Sequence, residues 1–386
     1  MRSRWILVLI ICCCISSPSF AQESLDIPVP SKKYIKYLEL RLENGAMLSN
    51  GTDFGDEIVN SSYYNAVDVR LGFQNTNAYS VYSNLYRRPI MGLGWYASTF
   101  HNEDVGNPNA LYYFFKMPYS FRENSRWNFT YGGAFGFSYN FSPFDEVDNP
   151  TNIFIGSYRN FYFHAEFTAQ FHLSKRFLLE GGVGFKHFSN GAFSLPNAGI
   201  NLTPVTVGLQ YKLGDKDEEV YNRKLEIPQH QKFGILNVGF IMGSKNYDIG
   251  GRNYFKGGVG INYLYEVHYK YRLGAGIDIY YADGYEARDS SDASALSKST
   301  AFAVNGSWEW MLNKNLYVPL AVGVYLHRNE ANGDKAPYYL RAGMRYRFDN
   351  NIFFGGTIKA HGGAADIFEW TLGYTFGRNP NAMSLR

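Results

Sequence analysis

The segment "FYFHAEFTAQFHL", from Phe161 to Leu173, decides the fold because its side chains alternate strictly between apolar and polar. One face carries Phe161, Phe163, Ala165, Phe167, Ala169 and Phe171, and the other carries Tyr162, His164, Glu166, Thr168, Gln170 and His172. Successive side chains of a strand point to opposite faces, so this segment predicts a strand with one apolar side. An apolar outer face and a polar inner face are typical of a transmembrane β-barrel.

The same alternation recurs along the chain. Clear examples are Leu38–Leu42, Leu316–Leu326 and the aromatic stripe from Phe368 to Phe376. We count about sixteen such segments, each near the length that a tilted strand needs to cross a bilayer. Short turns alternate with long connections, as expected when turns face the periplasm and loops face outward.

The predicted fold class is therefore all-β, an antiparallel transmembrane β-barrel of about sixteen strands. Eight strands fall in residues 34–213 and eight more in 232–377, with a charged periplasmic connection at 214–231 and a tail at 378–386. One wide barrel and two tandem eight-stranded barrels both abolish free sheet edges. Of these two arrangements we favour the single wide barrel.

The N-terminus has the composition of an export signal. Arg2 and Arg4 precede the apolar run Ile6–Ile15, and Ser19 and Ala21 offer a small-x-small cleavage site. We therefore expect residues 1–21 to be a signal peptide and 22–33 to be a periplasmic N-terminal segment. All three cysteines lie within the signal, so thiol chemistry and disulfides are excluded from the mature chain.

Composition narrows the function classes. Aromatic residues make up 18% and charged residues 18% of the 386 residues, and the mean hydropathy is −0.29. These values fit strands with one polar face and argue against a bundle of membrane helices. The net charge of +3 is too small to indicate a nucleic-acid partner.

The stretch "GFKHFSNGAFSLPNAGIN", from Gly184 to Asn201, carries the candidate chemistry. The apolar face of its first strand consists of Leu179, Gly181, Val183 and Phe185. By parity His187 and Ser189 continue that face, near the outer rim, and Asn201 lies on the corresponding face of the next strand. Polar side chains on a membrane face cost free energy and usually mark function.

These residue types suggest acyl transfer to water. Ser189 needs a base to take its proton, and His187 is within reach of that role. Asn201 is the candidate third group that orients the imidazole. Donors for an oxyanion would come from Asn190, Asn197 and the amides of the Gly191–Ala192 turn.

The motif "HFSNGAFSLPNAGIN" resembles the His-x-Ser-Asn … Pro-Asn-x-Gly segment of the lipid A 3-O-deacylases, the PagL-like outer-membrane enzymes. The resemblance implies a carboxylic ester hydrolase with His187 as base, Ser189 as nucleophile, and Asn190 and Asn197 in the oxyanion region. It also implies lipid A, or lipopolysaccharide, as substrate, no metal or other cofactor, and a multi-pass location in the Gram-negative outer membrane. Asn201 stands where the family has its acid.

Two other functions remain open from the sequence. The strand count and the charged inner faces are compatible with a porin or transport barrel. Asn201, which carries no charge, is compatible with a catalytically inactive barrel that binds lipopolysaccharide. The sequence gives no oligomeric state.

Overall fold

The computed structural model describes residues 33–121, 125–215, 217, 220–377 and 379–381. They form two closed antiparallel barrels of eight strands each. The all-β prediction and the count of sixteen strands are confirmed, and the arrangement is that of two tandem barrels rather than the wide barrel that we favoured. The first strand pairs with both the second and the eighth, so the sheet closes before the ninth strand begins. The predicted signal peptide lies outside the described residues, as do most of the segment 22–33 and most of the tail.

The first barrel contains β1 (Tyr34–Leu48), β2 (Tyr64–Asn75), β3 (Ile90–Thr99), β4 (Gly106–Pro118), β5 (Trp127–Phe141), β6 (Arg159–His172), β7 (Phe177–Ser189) and β8 (Ile200–Leu213). We call the end with the β7–β8 connection the loop end and the opposite end the turn end. Helix α1 (Asp53–Ser61) joins β1 to β2 at the loop end, and helix α2 (Val81–Leu85) joins β2 to β3 at the turn end.

The second barrel contains β9 (Phe233–Asn246), β10 (Asn253–His268), β11 (Tyr271–Ala282), β12 (Thr300–Met311), β13 (Leu316–His327), β14 (Tyr338–Arg347), β15 (Ile352–His361) and β16 (Ala364–Phe376). Its loop end carries helix α3 (Ala295–Ser299) and two 3₁₀ turns, Tyr285–Ala287 and Glu330–Asn332. Among the described residues, none of the helices has the length and apolar character that a membrane-spanning helix needs.

Side-chain burial follows the alternation that the sequence shows. On β1, Leu38, Leu40 and Leu42 are exposed, whereas Glu39 and Arg41 are buried in the interior. This is the reverse of a soluble barrel, in which apolar side chains fill the inside. The outer surface of each barrel is therefore suited to an apolar surrounding.

The interior of the first barrel is filled by a buried ion network. Glu166 forms ion pairs with two arginines, with 2.7 Å between Arg41 Nη1 and Oε2 and 2.6 Å between Arg70 Nη1 and Oε1. Nearer the turn end, Lys116 Nζ lies 2.8 Å from Glu180 Oε2. A layer of buried aromatic and aliphatic side chains closes the loop end, including Ile58 from α1. Charges held this far from water must be paired, because an unpaired buried charge costs several kcal/mol, roughly 3–5 by mutational data.

The second barrel is filled in the same way. Arg341 Nε lies 2.7 Å from Glu369 Oε2, and its Nη1 lies 3.1 Å from Asp278 Oδ2. Towards the turn end, Arg272 Nη1 lies 3.0 Å from Glu309 Oε2. Polar inner faces therefore serve to pack and neutralise each barrel interior in this chain.

The two barrels pack against each other at the turn end through α2 and the residue that follows it. The Tyr82 hydroxyl donates to the carbonyl oxygen of Tyr269 at 3.0 Å. The indole N–H of Trp310 donates to the Tyr86 hydroxyl at 2.8 Å. A buried apolar cluster containing side chains of both barrels surrounds these contacts. A second set of contacts between the barrels, at the loop end, involves the candidate site.

Candidate active site

Strands β7 and β8 bring the predicted residues together at the loop end of the first barrel. His187 and Asn201 are directly opposite each other in the ladder between these strands. Ser189 follows His187 by two residues and therefore shares its face. Phe185 on the same face is exposed, whereas Lys186 and Phe188 on the other face are buried inside. The outward parity expected for His187 and Ser189 is thus the one that the strand adopts.

The imidazole of His187 bridges the other two side chains. Its Nδ1 lies 2.7 Å from Oδ1 of Asn201, and its Nε2 lies 2.9 Å from Oγ of Ser189. An amide oxygen can only accept, so the proton of the neutral ring is on Nδ1. Nε2 then presents its lone pair to the Ser189 hydroxyl, which donates. This is the tautomer that a general base needs.

Ser189 is more enclosed than its position on an outward face suggests. It is 3% exposed, whereas Phe185 on the same face of β7 is 39% exposed. The neighbour of Ser189 across the β6–β7 ladder is Phe161, which is also buried, at 7% exposure. The hydroxyl is therefore buried at the loop end, whereas the same face of β7 is exposed nearer the turn end.

The β7–β8 connection is shaped by two asparagines. Asn190 uses both hydrogens of its side-chain amide, donating to Ser157 Oγ at 3.1 Å and to the carbonyl oxygen of Ser194 at 2.9 Å. Asn197 Oδ1 accepts from the backbone N–H of Asn190 at 3.0 Å. The side-chain NH₂ of Asn197 has no partner among the residues that the structure describes. Asn197 is therefore better placed than Asn190 to offer a side-chain donor.

Gly199 lies against the imidazole. Its φ of +78° belongs to the left-handed region, and a Cβ at this position would lie 2.7 Å from Cε1 of His187. Its N–H donates to the carbonyl oxygen of Phe154 at 2.9 Å, so the loop between β5 and β6 fixes the backbone here. Glycine is required for both the backbone angle and the space beside the ring.

Two family models match the chain. Residues 67–210 match the model described as lipid A 3-O-deacylase (PagL), and residues 234–379 match the one described as acyloxyacyl hydrolase, C-terminal domain. Together they cover most of both barrels. The chain belongs to the lipid A 3-O-deacylase (PagL) family.

Comparison with solved structures finds proteins of low sequence identity and low structural similarity. The translocator domain of the autotransporter NalP from Neisseria meningitidis is 9% identical, with 92% of this chain and 91% of that chain covered and a TM-score of 0.20. OccK5 (OpdH) from Pseudomonas aeruginosa is 9% identical, with 89% and 97% covered and a TM-score of 0.21. These scores are too low to support an argument. No curated protein matches the chain.

The candidate residues of this PagL-family chain lie inside the segment that matches the deacylase model. His187, Ser189 and Asn201 all fall within residues 67–210. The second unit contributes a separate cluster at the loop end of its own barrel, in which ligand atoms of Asp334, His361 and Asp366 lie within 4.8 Å of one another.

That cluster is a self-compensated ion network. Lys256 Nζ lies 2.9 Å from Asp334 Oδ1 and 3.0 Å from Asp366 Oδ2. Lys359 Nζ lies 3.2 Å from Asp334 Oδ1 and 3.0 Å from Asp366 Oδ2. Burial alone would raise the pKa of Asp334, but the two ammonium groups outweigh burial and hold that pKa below its ordinary value. A metal ion would have to displace ammonium groups that already neutralise both carboxylates.

A cavity of about 600 Å³ opens at the turn end of the first barrel. Its lining includes Arg88, Lys212 and Arg223. It lies at the opposite end of the barrel from Ser189 and so takes no part in the candidate site.

One part of the site has no signal in the sequence. The carbonyl oxygens of Gly191 and Ala192 both accept hydrogen bonds from the second barrel, from Phe368 N at 3.1 Å and from Asn246 N at 2.9 Å. Contacts between backbone groups leave no trace in residue types. Only the left-handed φ of Gly191, +67°, has a counterpart in the sequence, because glycine is the residue that adopts such an angle most readily.

Proposed function

We propose that this chain is an outer-membrane esterase that removes the acyl chain ester-linked at position 3 of lipid A. The observation that carries the proposal is the bridge that His187 makes between Ser189 and Asn201. Membership of the lipid A 3-O-deacylase family supplies the substrate class. The apolar outer surface of the first barrel supports an approach of substrate from the hydrocarbon side.

The geometry supports a two-step acyl transfer. Ser189 Oγ attacks the ester carbonyl while its proton passes to Nε2 of His187. The tetrahedral intermediate then expels the sugar oxygen, which takes that proton and leaves as the free 3-hydroxyl. Water, deprotonated by the same nitrogen, attacks the acyl-enzyme and releases the fatty acid, and the proton returns to Ser189 Oγ. Asn201 keeps the ring in the required tautomer throughout.

The depth of the site in the membrane agrees with this substrate. The predicted periplasmic connection between β8 and β9 is at the turn end, so the loop end faces outward. Ser189 is the last residue of β7 and thus lies near the outer interface. Lipid A occupies the outer leaflet, and its ester bonds lie just below the sugar headgroup.

Mass spectrometry of lipid A tests the proposal. Cells of a Gram-negative host that express the wild type should lose one hydroxyacyl chain from position 3, and cells that express Ser189→Ala should retain it. Folding of both proteins is checked by the shift of unheated barrels on gel electrophoresis. A folded wild type in the outer membrane that leaves the acyl pattern of the host unchanged would defeat the proposal.

Gly199→Ala should displace the catalytic base. The new methyl group meets Cε1 of His187 and the backbone angle is unfavourable, so we expect kcat to fall about 10²-fold, the effect of misplacing a reacting group by about 1 Å. Gly181→Ala, on the strand β7 that carries His187, is the matched control, because the nearest atom to its Cβ is 3.9 Å away. Equal activity of the two variants would contradict the role given to Gly199.

Asn201→Asp distinguishes a weakly active enzyme from a catalytically inactive barrel that binds lipopolysaccharide. A carboxylate in place of Oδ1, 2.7 Å from Nδ1, would stabilise the imidazolium by charge. Charge-assisted hydrogen bonds are about twice as strong as neutral ones, so we expect kcat to rise about tenfold over an already active wild type. Asn201→Leu should lower kcat, because the ring loses its orienting partner. Hydrolysis by the aspartate variant alone would identify the wild type as an inactive lipopolysaccharide-binding barrel.

The packed interiors argue against the porin alternative. Both barrels are filled by paired charges and large side chains among the described residues. We expect purified wild type to be silent in planar bilayers, at protein concentrations where a general porin gives discrete steps. Reproducible conductance steps that persist in Ser189→Ala would favour transport.

A further inference from the structure

The loop that follows Ser189 is held by the second barrel. The ladder between β9 and β16 ends, towards the loop end, at the pair Met242 and Trp370. Beyond that pair, the N–H of Phe368 donates to the carbonyl oxygen of Gly191, and the N–H of Asn246 donates to that of Ala192. We call this region, the loop-end part of β9 and β16 beyond the last pair, the seam.

The two hydrogen bonds determine where the loop amides point. A peptide group is planar, and its N–H points away from its C=O. When the seam binds the Gly191 carbonyl, the N–H of Ala192 must point away from the second barrel. The Ala192 carbonyl fixes the N–H of Phe193 in the same way. Gly191 and Ala192 have φ of +67° and +65°, and successive N–H groups of a turn form a concave array that can bind an anion.

The second barrel also forms part of the surface beside the nucleophile. The ring of Phe368 stacks on that of Phe161 with 3.8 Å between centroids and 14° between planes. Phe161 is the ladder neighbour of Ser189, and Phe193 from the loop meets Phe161 edge-on at 6.3 Å. Phe368 is 5% exposed, although it continues the outward face of β16. The enclosure around Ser189 is therefore built by residues of both barrels.

We propose that the second barrel is a positioning element for the reaction, and that its seam and Phe368 hold the Gly191–Ala192 turn in the conformation that receives the oxyanion. This inference rests on the proposed esterase function. Phe368 is a positioning residue, because its ring touches Phe161 and its backbone N–H touches the loop, whereas the substrate meets Ser189. Eight strands close a barrel without help, so the second barrel is not needed to satisfy the sheet edges of the first.

Phe368→Ala in the full chain tests the inference, with Phe240→Ala as the matched control. Phe240 lies on β9 of the same barrel and is 61% exposed. We expect Phe368→Ala to lower kcat on lipid A about tenfold with little change in KM, and Phe368→Leu to restore most of the loss. The rate of phosphonylation of Ser189 by an alkyl fluorophosphonate, which also develops negative charge in the oxyanion region, should fall in parallel. Wild-type kcat in a folded Phe368→Ala would overturn the inference.

Hydrogen exchange separates this inference from the proposed function. We expect the amides of the peptide covering residues 190–194 to exchange about tenfold faster in Phe368→Ala than in the wild type or Phe240→Ala, whether or not lipid A is cleaved. Unchanged exchange would overturn the positioning role even in an active enzyme. A wild type that leaves lipid A intact while the loop responds to Phe368→Ala would instead refute the esterase proposal.

A second variant guards against misfolding of Phe368→Ala. A Cβ added to Gly191 would lie 2.7 Å from Cβ of Phe368, so Gly191→Ala must push the loop away from the seam. We expect the same loss of kcat and the same faster exchange from this change in the first barrel. If Gly191→Ala had the kcat of the wild type and the same rate of amide exchange in residues 190–194, the inference would be contradicted.

Discussion

Ser189→Ala should lower kcat for lipid A deacylation by at least about 10³-fold, because the variant retains the oxyanion donors and the substrate surface but has no atom to attack the ester. KM should change little, since among the described residues the hydroxyl bonds to His187 Nε2, and this bond within the protein does not contribute to substrate binding. The measurement is release of the hydroxy fatty acid from lipid A in mixed micelles, quantified by mass spectrometry.

Ser138→Ala is the matched control for this loss. Ser138 is as buried as Ser189, at 2% against 3%, and lies on β5 of the same barrel. Its hydroxyl donates to the carbonyl oxygen of Asn160 at 3.0 Å and has no contact with His187. We expect its kcat to equal that of the wild type within a factor of about two, since it touches none of the reacting groups. A similar loss in both variants would show that the Ser189 effect comes from packing.

Glu166→Gln should produce the largest loss of stability. Glu166 is ion-paired with Arg41 at 2.7 Å and with Arg70 at 2.6 Å, and all three side chains are at most 4% exposed. Removing its charge leaves the two buried guanidinium groups with one carboxylate fewer to neutralise them. Breaking a buried pair on one side costs about 3–5 kcal/mol, and we expect the free energy of unfolding to fall by that amount. Urea unfolding of the folded barrel in detergent measures it.

The exposed pair of Lys175 and Asp217 is the control for burial. Its atoms are 2.9 Å apart, but the two side chains are 61% and 60% exposed. Water and salt screen such pairs, so Lys175→Ala should leave the unfolding midpoint unchanged within error. If the two variants had equal stability, the ion network inside the barrel would not be needed for folding.

The sequence predicts the face on which each side chain lies better than it predicts which strands and side chains contact one another. Alternation correctly assigns Leu40 and Arg41 to opposite sides of β1, and parity alone brings His187, Ser189 and Asn201 to one face of adjacent strands. These predictions succeed because a strand has a fixed period of two. The same pattern cannot say where the sheet closes, because β8 could equally continue to a ninth strand in a wide barrel.

The contacts between the barrels could not be predicted from the sequence, for a related reason. Alternation places Phe161 and Phe368 on outer faces and thus towards lipid, but the two rings stack on each other between the barrels. An apolar side chain packs equally well against lipid and against protein, so its residue type does not indicate which of the two it contacts. The helices α1, α2 and α3 lie within connections, where the alternation gives no sign of them.

The central claim is that His187 activates the hydroxyl of Ser189 on the outward face of the first barrel, and covalent labelling tests it most directly. Purified wild type in detergent is treated with an alkyl fluorophosphonate and mapped by peptide mass spectrometry. We expect one adduct per chain, on Ser189, with parallel loss of lipid A deacylation and much slower labelling of His187→Gln. An active preparation in which Ser189 stays unlabelled while another residue takes the probe and activity is lost would contradict the claim.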